Sequence, residues 1–154
     1  MLTRMLAVMT LILTLTNSAR GESLDEGIAA YQRGDYPQAQ ELFLSLAGRG
    51  DARAQLYLGY LHFHGQGVAE DNGRALGYFA AAADQGDADA QYQLGYMYVF
   101  GFTPLAPASA RQLGIQWSLR AATQGNADAR VMLSHLLREE GLLPTRLALL
   151  QGDG

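Results

Sequence analysis

The chain contains no cysteine among its 154 residues. That absence removes disulfides, thiol nucleophiles, cysteine-ligated zinc and a cysteine-borne lipid anchor. Lysine is missing too: all 11 basic residues are arginine, against 15 acidic ones, for a formal net charge of −4. A general nucleic-acid binder needs a basic face, so no nucleic-acid partner is expected. The signatures of familiar chemistry are also absent. There is no G-x-S-x-G, no phosphate loop and no dinucleotide fingerprint. No His-x-x-x-His pair occurs. His62 and His64 would point about 200° apart on a helix and cannot share one ion there. The carboxylates are scattered: Asp84, Asp87 and Asp89 fall at a turn, and the pairs Asp25–Glu26 and Glu139–Glu140 fall at helix ends. Solvation or capping is their expected role. The expectation is a protein that is not an enzyme, with no catalytic residue, no metal and no cofactor.

A long apolar run is lacking as well. Leu6 to Leu15 is short, and only threonines break it. A spanning helix needs about 20 apolar residues. Arg4 precedes the run, and Ala19-Arg20-Gly21 follows it with small residues where a signal peptidase looks. Residues 1–21 therefore read as a secretory signal, cut after Ala19 or Gly21. A retained anchor or a hydrophobic first helix are the other readings. Cleavage after Gly21 would remove two arginines and leave 9 basic residues against 15 acidic ones, a formal charge of −6. The mature protein is expected in the periplasm or outside the cell. Any membrane contact would come only through an uncleaved signal segment.

What the chain does have is a composition that folds, 49% hydrophobic with 17% charged residues, and an internal repeat. Ala54 recurs as Ala90, Gln55 as Gln91, Leu58 as Leu94, Gly59 as Gly95 and Gly65 as Gly101, each 36 residues on. A fixed period of this length marks a stacked architecture. Each unit reads as two helices. The first spans about Ala52 to Phe63 and ends at Gly65-Gln66-Gly67, where glycine supplies a left-handed cap. The second begins near Asp71, a good N-cap, and stops at Gly86. Glycine inside a helix costs about 1 kcal/mol against alanine, so a recurrent Gly59 and Gly95 point to close helix approach.

These residues resemble the Sel-1-like repeat family, a variant of the tetratricopeptide repeat. Its pattern A-x-A-Q-x-x-L-G, G-x-G-V, D and A-A-x-x-G is met by Ala52, Ala54, Gln55, Leu58, Gly59, Gly65, Gly67, Val68, Asp71, Ala82, Ala83 and Gly86. His62 replaces the family tyrosine and is expected to be packed and hydrogen-bonded. The second copy runs from Ala88 to Gly125, with Trp117 at the aromatic position. It departs after Gly101, where Phe102-Thr103-Pro104 and three extra residues enter. The resemblance implies an all-α fold: an α-solenoid of stacked antiparallel helix pairs forming a right-handed superhelix. The units expected are 22–50, 51–86, 87–125 and 126–154. In the first, Asp35 caps a helix with Pro37 in its opening turn. After the insertion, a helix is expected to restart near Ser109. Ala127 to Glu140 begins the last unit, and Pro144 to Gln151 can close it.

The resemblance implies adaptor or scaffold work, with a protein or peptide held on the concave face that the first helices line. Tyr57, Tyr60 and His64 share one helical face. One repeat later come Gln93, Tyr96 and Phe100, then Met132 and His135. Together these eight form a strip rich in aromatics and poor in charge, the kind of surface on which binding hot spots concentrate. The other reading of the tyrosines is packing against adjacent helices. A peptidoglycan- or glycan-associated accessory is the alternative function, suggested by the surface tyrosines. A small hydrolase is a third, weakened by the missing cysteines.

Overall fold

The structure is a computed structural model that describes residues 23–139. Seven helices follow one another: α1 (Leu24–Gln32), α2 (Tyr36–Gly48), α3 (Ala52–His64), α4 (Asn72–Asp84), α5 (Ala88–Val99), α6 (Pro107–Thr123) and α7 (Ala127–Glu139). No strand occurs among the described residues. Each helix packs chiefly on its neighbours in the chain, and α1 also touches α3. The result is an α-solenoid of stacked antiparallel pairs. None of the described helices is long and apolar enough to cross a membrane. The signal segment and the closing helix expected from Pro144 lie outside the described residues.

Side-chain caps place most helix starts. Ser23, Asp35, Asp51, Asp71, Asp87 and Asn126 each accept a backbone N–H three residues on, satisfying a donor the helix cannot. α6 is the exception. It starts at Pro107 rather than near Ser109, with extended Ala106 before it and no side-chain cap. Proline needs no N–H at the first helical position and has its φ already set. α3 ends on Gly65 in the left-handed region, at φ 63°.

Within each pair, a glycine on the first helix meets the second. Gly27 lies under the Phe43 ring and Gly59 under the Phe79 ring; a Cβ on either would strike that ring. Phe43 and Phe79 are fully buried, and each belongs to its own core cluster. Gly95 repeats the arrangement with a different partner. A Cβ there would sit 2.7 Å from Ser118 Oγ and 3.1 Å from the Gly114 carbonyl. In the third pair, main chain therefore approaches main chain where the other two interpose a ring. Ser118 is fully buried, and its hydroxyl donates to the Gly114 carbonyl at 2.6 Å.

Polar side chains tie helices together both within pairs and between them. Within the α3–α4 pair Gln85 Nε2 donates to Gln55 Oε1 at 2.7 Å, and within the α5–α6 pair Gln124 repeats this to Gln91 Oε1 at 2.7 Å. Arg53 reaches across to Asp89 at 2.7 Å and Asp87 at 3.4 Å. Asn126 Nδ2 donates to the other Asp89 oxygen at 2.9 Å. The N-termini of α3, α5 and α7 are thus joined through one carboxylate.

Candidate binding site

The helices α3, α5 and α7 carry the residues of the expected strip, with Phe100 just past the end of α5. On α3, the Tyr57 ring stacks on Phe43 with centroids 4.9 Å apart and meets Tyr31 edge-on at 5.3 Å. Tyr60 stands edge-on to Phe79 at 5.4 Å and lies parallel to the His64 ring at 6.3 Å. Its hydroxyl accepts from Gln93 Nε2 at 3.1 Å. Burial pushes the Tyr60 phenol up to about 12, against an opposing pull from the Gln93 hydrogen bond. Tyr57 and Tyr60 are half-buried and packed against the core clusters beneath them. Replacing either would disturb the fold along with the surface.

On α5 the strip divides. Gln93 turns toward α3 and Tyr60. Tyr96 turns the other way and packs against Phe100, just past the helix end, at 4.4 Å. Phe63 links the two groups, edge-on to Tyr96 at 6.4 Å. Phe100 is 58% exposed although apolar, as is Val131 of α7 at 59%.

Between α5 and α7 runs a groove of about 400 Å³. It brings together Tyr96, Phe100, Met132 and His135, the four strip residues farthest along the chain. Tyr57, Tyr60, His64 and Gln93 do not line it. The groove also takes residues outside the expected strip: Tyr92 and Val99 from α5, Val131 and Leu136 from α7, and Arg111 from α6. Asp128 and Glu139 lie along α7 too. They are 11 positions apart, about 17 Å along a helix rising 1.5 Å per residue. Arg111 pairs with Glu139 at 2.8 Å. Burial pushes the Tyr92 phenol above its ordinary value, with the charge of Asp128 and then Tyr96 adding to the shift. Tyr92 escaped the 36-residue spacing because its repeat counterpart is Leu56, a fully buried core residue. Asp128 does carry a signal: it stands 39 residues after Asp89, the offset that also relates Gln124 to Gln85.

The remaining histidine, His62, is buried on the other flank of α3. Its ring stacks on Tyr78 at 5.6 Å, and its Nδ1 has no hydrogen-bond partner. Burial holds it below its ordinary pKa; Arg74 adds to that, while Asp71 and a hydrogen bond to the Ala69 backbone oppose it. Among the described residues, no three His, Asp or Glu side chains are placed to hold a metal ion. The arrangement offers an aromatic trough with carboxylates at both ends.

The family model for the Sel1 repeat matches residues 52–87 and 88–126. Among solved structures, a Sel1 repeat protein from Oxalobacter formigenes is 30% identical, with a TM-score of 0.70, over 77% of this chain and 47% of that one. A protective antigen present in uropathogenic Escherichia coli strains, displaying an SLR fold, is also 30% identical, with a TM-score of 0.61, over 75% of this chain and 26% of that one. The chain thus spans about half the length of the first relative and a quarter of the second. No match is found among curated proteins.

Proposed function

The chain belongs to the Sel1-repeat family, whose members are in general protein-interaction modules and typically non-catalytic, and we propose that it seats a peptide or protein segment in the α5–α7 groove. The observation that carries this reading is the groove itself. It gathers Tyr96, Phe100, Met132 and His135 around about 400 Å³ and leaves Phe100 58% exposed. That volume lies within the range of ordinary ligand sites. Phe, Tyr and Met are enriched where proteins meet relative to the rest of their surfaces. The α3 strip of Tyr57, Tyr60 and His64 would extend the contact area toward the N-terminal pairs. The partner would be exported with the protein or met in the envelope, once residues 1–21 are removed and units 22–50, 51–86, 87–125 and 126–154 form one domain.

Two measurements test this. Tagged protein should capture a partner from an envelope extract, and Phe100→Ala with Met132→Ala should lose it while the unfolding midpoint stays within a few degrees. A hot-spot truncation typically weakens binding by about 2 kcal/mol or more. Undiminished capture by the double variant would overturn the groove as the site. Mass spectrometry of protein from the native host should find an N-terminus at Arg20 or Glu22; a soluble species beginning at Met1 would overturn export.

A further inference from the structure

The repeat contains its own example of how such a groove is filled. One pair earlier, between α3 and α5, a cation is supplied by the chain. The Arg53 guanidinium lies 5.9 Å over the Tyr57 ring and donates to Asp89 at 2.7 Å. An aromatic face and a carboxylate hold it from two directions. Advance by one repeat, and Asp89 becomes Asp128, 39 residues on, while Arg53 becomes Asp89, 36 residues on. The α5–α7 groove therefore keeps the carboxylate but loses the arginine, and Tyr57 becomes Gln93, 36 residues on. Tyr92 supplies an aromatic ring on the α5 side of this groove. Arg111, the basic residue that lines the groove, pairs with Glu139 at the far end of α7. Asp128 has no ion pair among the described residues.

We propose that the groove takes an extended partner segment carrying an arginine or lysine, with that cation seated between Tyr92 and Asp128. Apolar side chains of the segment then follow along Tyr96, Phe100 and Met132 toward Leu136. The proposal rests on the groove being the binding site and names the chemistry of its occupant. Three features favour a cation over an anion. The Asp128 carboxylate is left over after Arg111 and Glu139 cancel. Aromatic faces attract cations and repel anions. Between α3 and α5 a guanidinium already sits on Asp89, the carboxylate equivalent to Asp128. At about 3.3 Å per residue, the 17 Å between Asp128 and Glu139 fits about five extended residues.

Selection of a random displayed peptide library on the full chain at low salt tests the proposal, with the same selection run on Phe100→Ala/Met132→Ala and on Asp128→Asn. The expected result is enrichment of peptides with one Arg or Lys beside apolar residues. A synthetic copy of the best binder should weaken about three- to tenfold when its arginine is replaced by neutral citrulline. The same loss should appear on Asp128→Asn, and the two losses should not add. Enrichment of neutral or acidic peptides would overturn the cation, as would a basic peptide that binds parent and Asp128→Asn equally. If the parent enriches nothing that Phe100→Ala/Met132→Ala does not, the groove reading itself fails. Unfolding midpoints of both variants, compared with the parent, separate lost binding from lost fold.

Discussion

His62 shows how one substitution within the repeat pattern sets a pH response. The ring is buried with an orphaned Nδ1, and burial disfavours its charged form. The folded chain therefore binds this proton less readily than the unfolded one. Stability is full above the ordinary histidine pKa of about 6.5 and declines as pH falls below it, levelling once the lower folded value is passed. Urea unfolding at pH 7.5 and 5.5 should show that decline in the parent and a smaller one in His62→Phe. At pH 7.5 the Phe variant should be no less stable, because it removes a buried acceptor without a partner. Equal pH dependence in both proteins would refute the assignment. Two glycines give a second test. Gly95→Ala forces a Cβ against the Gly114 carbonyl and Ser118 of α6 and should destabilise by about 1–3 kcal/mol. Gly77 sits in α4 with nothing within 4 Å of a would-be Cβ, so Gly77→Ala should stabilise by about 0.5–1 kcal/mol. Thermal melts that move both variants the same way would contradict this packing.

At the scale of helices, much of the arrangement could be read beforehand. The 36-residue offset located α3, α4 and α5, and the caps Asp35, Asp71 and Asp87 mark the starts of α2, α4 and α5 in the structure. The close approach expected of Gly59 and Gly95 is present, because a recurrent glycine inside a helix has few other uses. Gly27 plays the same part against Phe43, but the differing loop lengths break its spacing from the other two. α6 opens at Pro107 rather than near Ser109 because a proline can either precede a helix or open it, and no capping side chain marks the start. The groove lay further from view. Adjacent residues on a helix diverge by about 100°, so Tyr92 and Gln93 face different neighbours, and which neighbour depends on how the pairs stack. The links between pairs should be weak beside their cores. A double-mutant cycle on Arg53→Met and Asp89→Asn should give a coupling of about 0.2–1 kcal/mol that fades in 1 M salt, since both side chains are about half exposed. Phe79→Ala, emptying a fully buried site, should cost about 3–5 kcal/mol irrespective of salt.

Across the whole molecule, contacts run from each helix to its neighbours and little further. A stack built this way stands on its pairs and on the seams between them. The Arg53–Asp89 contact makes one of those seams directional. Segment 51–86 offers an arginine where segment 87–125 offers an aspartate, so the two are not interchangeable. Suppose the gene gained a second copy of 51–86 directly after Gly86. Each pair would keep its own packing, with Gln85 bonded to the Gln55 of its own copy. Arg53 of the first copy, however, would face Arg53 of the second. Lengthening by plain copying would thus set two arginines across the new joint, a repulsion about as small as the attraction it replaces, which a single charge reversal there would remove.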